Sequence, residues 1–264
     1  MLFRSQPLRS GADFIRQLVG EEGRPYPSGR NRLKLLPLRR ALAVEPAEEL
    51  LVRTALAAPG EISLIAIGPL SNIARAMLKD ARFAPSLREI ILMGGVYQAR
   101  GNITPFTEFN MATDPEAARV VFEAGVPITM VPYDVTIRTL MTGADWAAIT
   151  QDNRWLSPLV IDGVADWIEF LRLSLGRPGC RLHDLLAVAA AIDPAAVQAR
   201  RAAVTISLEE PLRAGQTVVR FLTDDADPGP ATRVVVDYDD SWFMDLIAGL
   251  LRGPGSRTLP GRRS

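Results

Sequence analysis

The chain is poor in the residues that usually announce a chemistry. Among 264 residues there is one cysteine, Cys180, one histidine, His183, and two lysines, Lys34 and Lys79. A single cysteine excludes an internal disulfide framework and any cysteine-based zinc cluster, and fits a reducing compartment. A single histidine means that any imidazole acid or base is His183. No excess of either charge exists, since Lys+Arg and Asp+Glu both number 30. That balance gives no basic footprint for nucleic acid and no acidic tail. No apolar run reaches membrane-spanning length, and the start lacks the basic, apolar and small-residue order of a secretory signal. The expectation is a cytoplasmic protein with no membrane or nucleic-acid partner. No G-x-G-x-x-G follows a strand, which argues against a dinucleotide-binding redox enzyme.

What is present is a regular alternation. "AEELLVRTALAA" (47–58) has helical apolar spacing and stops at Pro59-Gly60. "EISLIAIGPLSN" reads as a strand, a Gly-Pro turn and a new helix; "LREIILMGGV" reads as a second buried strand. "DPEAARVVFEAG" opens with an acidic, proline-containing turn and closes on glycine, and "PITMVPYDVT" reads as a third strand. Strands that are apolar throughout and separated by helices predict a mostly parallel, Rossmann-like α/β sheet covered on both faces. Ligands of such sheets bind beyond the carboxyl ends of the strands, where "IGPL", "MGG" and "PYDVT" fall. Residues 146–193 read as mostly helical with a break at 176–179. "AAVTISLEE", "TVVRFL" and "TRVVVDYD" read as strands, antiparallel as one option, before a helix near "SWFMDLIAGLL". We divide the chain into an atypical segment 1–46, a domain 47–250 and a disordered tail 251–264. In the first segment only "ADFIRQLV" hints at a helix.

The stretch "GNITPFTEFN" (101–110) poses a chemical question, because it leaves an apolar strand and places Asn102, Glu108 and Asn110 within nine residues. Asn suits turns and Glu suits solvent, so a plain loop is one reading. Phe109 between two hydrogen-bonding side chains favours the other, a pocket for a sugar or a base. His183 and Asp184 stand at the start of "LHDLLAVAAAIDP". On spacing alone Asp184 caps that helix and His183 is a boundary residue, or the pair belongs to a site. Asp114 is a helix start. Asp134, ending the third strand, either faces a site or makes a turn. Trp155 and Trp167 are read as core or interface residues, with a base-facing helix as the other option.

In order, "IAIGPLSNIARAM", "LMGGV", "GNITPFTEFNMATDPEAARVVFEAG", "MVPYDVT" and "LHDLLAVAAAIDP" resemble the inosine-uridine-preferring nucleoside hydrolase family, from about residue 47 to 250. The resemblance implies the nucleoside hydrolase fold and hydrolysis of the N-glycosidic bond of ribonucleosides. It implies a Ca²⁺ ion that holds the attacking water and the ribose 2′ and 3′ hydroxyls, with Asp184 as a carboxylate ligand that also borders the ribose. Ile67 would lend that ion its backbone carbonyl. Asn102 and Glu108 would bind the ribose 5′ end and Asn110 its 2′/3′ side. Met93 and Phe109 would pack against the sugar, and His183 would protonate the departing base. A homodimer or homotetramer is also implied.

One departure stands out. The family's first strand carries a DxDxxxDD cluster that supplies further Ca²⁺ ligands and the general base, whereas the only aspartate in residues 1–46 is Asp13. A His-Gly loop expected just before residue 47 is missing, and Leu185 stands where proline is common. Three readings follow: an N-terminally truncated or mis-started hydrolase, a non-catalytic nucleoside- or ribose-binding relative, or a remnant without function. The arginine-rich, poorly patterned start favours the first. We therefore expect an N-terminally incomplete fold, an incomplete Ca²⁺ site and impaired hydrolysis. Base preference is not legible.

Overall fold

The computed structural model describes residues 45–151, 153, 156, 158–209, 212–223 and 232–252. The atypical segment up to residue 44, Trp155 and residues 253–264 of the expected tail lie outside them. The described residues form two compact units, one within 141–180 and the other from 43–140 together with 181–264.

The larger unit begins with α1 (Ala47–Ala57), β1 (Ile62–Ala66), α2 (Ser71–Lys79), the one-turn α3 (Phe83–Ser86) and β2 (Leu87–Met93). The short α4 (Phe109–Thr113) leads to α5 (Pro115–Glu123), β3 (Ile128–Val131) and the one-turn α6 (Tyr133–Thr136). β1, β2 and β3 are parallel neighbours, as their continuous apolar runs predict. Alternate side chains point to opposite faces. Ile90 and Leu92 pack with Ala55, Ile73, Ala76 and Val121 of the flanking helices in one core. The opposite face of β2 meets the helix His183–Ile192. Asp114 caps α5 by accepting from the Ala117 amide at 3.0 Å, and Pro115 occupies its first turn, as expected.

The third strand is shorter than "PITMVPYDVT" suggests. It stops at Val131, and Tyr133–Thr136 turns as a helix behind Pro132. Pro132 has no amide to donate to a ladder, so the strand closes there.

In the smaller unit, β4 (Leu140–Thr142) pairs with β5 (Gly179–Arg181), a pairing the helical reading of 146–193 did not anticipate. Between them run α7 (Gly143–Thr150) and α8 (Pro158–Leu175). A reciprocal Thr142–Asp145 capping box starts α7. The Trp146 indole N–H donates to the Ile161 carbonyl at 3.0 Å. Trp167 is 40% exposed and stacks on Phe170, so it is not a core residue of this unit. Cys180 is buried and unpaired among the described residues.

The larger unit resumes with α9 (His183–Ile192), β6 (Val197–Ile206), β7 (Thr217–Phe221), β8 (Thr232–Tyr238) and α10 (Asp240–Arg252). The sheet order is β1-β2-β3-β8-β6-β7. β8 pairs parallel with β3 and antiparallel with β6, while β6 and β7 are antiparallel. β6 starts five residues before the "AAVTISLEE" run, because "VQARR" belongs to the strand with Gln198 and Arg200 exposed. α10 carries Leu251 and Arg252, which extends it into the expected tail. Among the described residues no helix is long and apolar enough to cross a membrane.

Candidate active site

The parallel register aligns the carboxyl ends of three strands. Ala66 pairs with Leu92 and Leu92 with Met130, and Met93 pairs with Val131. Ile67, one residue past β1, therefore reaches the level of Met93. Ile67 is 46% exposed, which suits a residue whose carbonyl rather than side chain would be used.

Gly94 and Gly95 follow Met93. A Cβ on Gly94 would lie 2.5 Å from the Met111 methyl and 3.2 Å from Glu108 Oε2, so glycine lets α4 come this close to the strand end without displacing the Met111 side chain. Gly95 has φ +78°, and its amide donates to Glu108 Oε2 at 3.0 Å. Glu108 is the N-cap of α4, with both carboxylate oxygens accepting from the Asn110 amide at 3.0 Å. The side chain is 2% exposed. Burial pushes its carboxyl up to about 7, against the downward pull of amides from Asn110, Gly95 and Met111, and the nearby Asp184 charge adds to the rise.

Asn110 is buried, and its Nδ2 donates to the Met93 carbonyl at 2.9 Å. Its carbonyl oxygen meets no donor among the described residues, which leaves an acceptor for a hydroxyl. Asn102 is exposed and accepts from the Phe109 amide at 2.9 Å through Oδ1, leaving its NH₂ to donate elsewhere. Phe109 is half-buried at the first position of α4, and Met93 is buried beneath the loop. The predicted loop residues Met93, Asn102, Glu108, Phe109 and Asn110 are therefore gathered around one short helix.

Two residues fasten the loop that leads into this cluster. Asp134 accepts from the Tyr97, Gln98 and Ala99 amides at 3.0, 2.8 and 2.7 Å. Of the two readings open for Asp134, the turn-holding one is realised, and the turn it holds borders the site. Thr217 Oγ1 accepts from the Val96 amide at 2.8 Å and donates to the Val96 carbonyl at 2.6 Å. Nothing in the sequence signals Thr217, since its partner is 121 positions away. Gly101 is a third constraint, because a Cβ there would meet the Thr107 carbonyl at 2.2 Å.

His183 and Asp184 begin α9. The Leu182 amide is anchored on the carbonyl and hydroxyl of Thr139, both at 2.9 Å. The capping role left open for Asp184 is not realised: Leu182 is the N-cap, and no side chain caps the helix. Asp184 is exposed by surface area, yet its carboxyl is desolvated enough to be pushed above the usual carboxylate range. It has no hydrogen-bond partner among the described residues. His183 is half-buried, with Nδ1 2.8 Å from Thr136 Oγ1 and its ring stacked on Tyr133 at 5.4 Å.

Ca²⁺ takes six to eight oxygen ligands. The described residues offer the Asp184 carboxylate and the Ile67 carbonyl, and among them no three His, Cys, Asp or Glu side chains gather as a metal site. They do not by themselves make a Ca²⁺ site.

The profile of the inosine-uridine preferring nucleoside hydrolases matches residues 5–245. A pyrimidine-specific ribonucleoside hydrolase, RihB, of Escherichia coli is 34% identical over 217 residues, covering 82% of this chain and 69% of its own length. Among solved structures, the plant nucleoside hydrolase PpNRh1 superposes with a TM-score of 0.75 at 26% identity, over 84% of this chain and 72% of that one. A purine-preferring ribonucleoside hydrolase from Gardnerella vaginalis gives 0.72 at 30% identity, over 81% and 69%. A buried carboxylate and amide under a three-strand end, and a profile match over nearly the whole chain, have one common explanation: this protein belongs to the inosine-uridine preferring nucleoside hydrolase family.

Proposed function

We propose that the chain acts on ribonucleosides, hydrolysing the N-glycosidic bond to ribose and free base. The observation that carries this is the buried Glu108–Asn110 pair, held by backbone amides and coupled electrically to Asp184. Breaking the bond develops positive charge on the ribosyl ring and negative charge on the base. An ionised Glu108 and the free oxygen of Asn110 accept from ribose hydroxyls and stabilise the first charge, because fixed dipoles need no reorganisation as it develops. Asn102 donates at the 5′ end. His183 relieves the second charge by giving a proton to the leaving base. In this reading Asp184 and the Ile67 carbonyl contribute to a Ca²⁺ site completed from elsewhere, and such an ion would supply a more acidic bound water. The cytoplasm and a homodimer or homotetramer belong to the same proposal, the latter checked by analytical ultracentrifugation.

One observation favours a second reading, nucleoside binding with impaired or no turnover. The described residues hold too few oxygen ligands for Ca²⁺, and Asp13 is the only aspartate before residue 47. Calorimetric titration of the purified chain with Ca²⁺, then a reducing-sugar assay on inosine and on uridine, separates the two. Ca²⁺ binding with release of ribose supports hydrolysis, and the faster substrate gives the base preference. Ribonucleoside binding without release supports the second reading. Neither binding nor release sinks both.

A further inference from the structure

Thr136 ends the one-turn helix behind β3, and its side chain is fully buried. Its hydroxyl has a single hydrogen-bond partner among the described residues, His183 Nδ1 at 2.8 Å, across 47 positions of sequence. The carbonyl of the same residue receives the Thr139 hydroxyl at 2.6 Å, and Thr139 in turn holds the Leu182 amide that starts α9. The helix carrying the imidazole and the hydroxyl facing it are thus fixed by one connected set of bonds, with Tyr133 stacked on the ring.

The direction of the Thr136–His183 bond follows from counting hydrogens. If Nδ1–H donated to Thr136, the hydroxyl hydrogen would be buried without an acceptor, which folded proteins avoid. If the hydroxyl donates, both groups are satisfied, and the remaining ring hydrogen of a neutral imidazole lies on Nε2, turned away from Thr136. We propose that Thr136 is a positioning residue that holds His183 in the Nε2–H tautomer and fixes its ring plane. The functional part of this inference rests on the nucleoside reading above, whereas the tautomer does not.

His183 is the only histidine, so the untagged chain labelled with ¹⁵N gives one imidazole spin system. Long-range ¹H–¹⁵N spectra well above pH ~6.5, the ordinary imidazole value, read the tautomer of the neutral ring directly. The expected result is a protonated Nε2 and a pyridine-like Nδ1 in the unsubstituted chain. Thr136→Val should shift the pattern toward a tautomer mixture, and Thr136→Ser should restore it. A predominantly Nδ1–H ring in the unsubstituted chain overturns the proposal, as does a Thr136→Val spectrum identical to it. Should Thr136→Val fail to fold, the unsubstituted chain and Thr136→Ser still decide the tautomer. Where ribose release is measurable, Thr136→Val should lower kcat by ~10–100-fold, the cost of a misplaced catalytic group, with little change in KM. Absence of release in the unsubstituted chain counts against the nucleoside hydrolysis reading and leaves the tautomer, read from the spectra, unaffected.

Discussion

Glu108 shows how one side chain can serve binding and stability in opposite directions. Its unfolded carboxyl ionises near the ordinary 4.5, while the folded one holds its proton up to about 7. The native state binds the proton more tightly, so this group's stabilisation is fully present below about 4.5 and is lost as pH rises through about 7. The loss is at most ~3 kcal/mol, at 1.36 kcal/mol for each unit. Urea unfolding across this window should show stability falling with pH, and Glu108→Gln should flatten the slope. In the proposed role the ionised form is the better acceptor for ribose hydroxyls, so kcat/KM should rise over the same window. If the chain hydrolyses nucleosides as proposed, a single-residue test of the leaving-group role is His183→Ala, expected to lower purine nucleoside turnover by ~10²–10⁴-fold while ribose-analogue binding survives. Unchanged turnover would remove His183 from the chemistry. At this scale the sequence was informative about identities and silent about partners. Glu108 and Asn110 stand out by residue type. Their burial, the open acceptor on Asn110 and the Thr136 hydroxyl against His183 depend on contacts that spacing does not encode.

At the scale of elements, the loop between β2 and α4 is held from outside. One carboxylate, Asp134, gathers three successive amides and does the work of a short strand without a ladder. Hydrogen bonds to a charged acceptor are each worth ~1.5–3 kcal/mol and are not additive, so Asp134→Ala should cost ~2–4 kcal/mol. Hydrogen exchange should rise first at Tyr97, Gln98 and Ala99; unchanged protection there would refute the anchor. Which elements were legible in the sequence follows from which faces they bury. β2 is buried along most of its length and betrayed by its continuous apolar run, whereas β1, at the sheet edge, reads as a strand by the same pattern although Ile65 is exposed. β6 hides its first half because Gln198 and Arg200 face solvent, and β3 appears too long because Tyr133 and Val135 continue an apolar pattern that Pro132 has already ended.

For the larger unit as a whole, β8 is the seam. It joins a parallel half built from helix-separated strands to an antiparallel half built from β6 and β7. Val234 sits on that seam fully buried, opposite Met130 on one side and Arg200 on the other. Val234→Ala should cost ~1–3 kcal/mol by the usual large-to-small penalty, with both halves of the sheet melting together by circular dichroism and near-ultraviolet signals. Separate transitions would mean that the halves are independent. The antiparallel option was open in the sequence, but the parallel β3–β8 contact was not, because 101 positions separate Thr232 from Val131.

The Thr217 bond to Val96 sets an order in time. A ribosome delivers residue 96 long before residue 217, and chains emerge at ~5–20 residues per second. For that interval the loop beside Gly95 lacks one of its two fasteners, whatever the state of β1 and β2. The nascent chain can thus pair β1, β2 and β3 while the turn next to Glu108 is held by Asp134 alone. Full fastening of this loop is therefore a late event of biosynthesis, waiting on a threonine 121 positions downstream of the residue it holds.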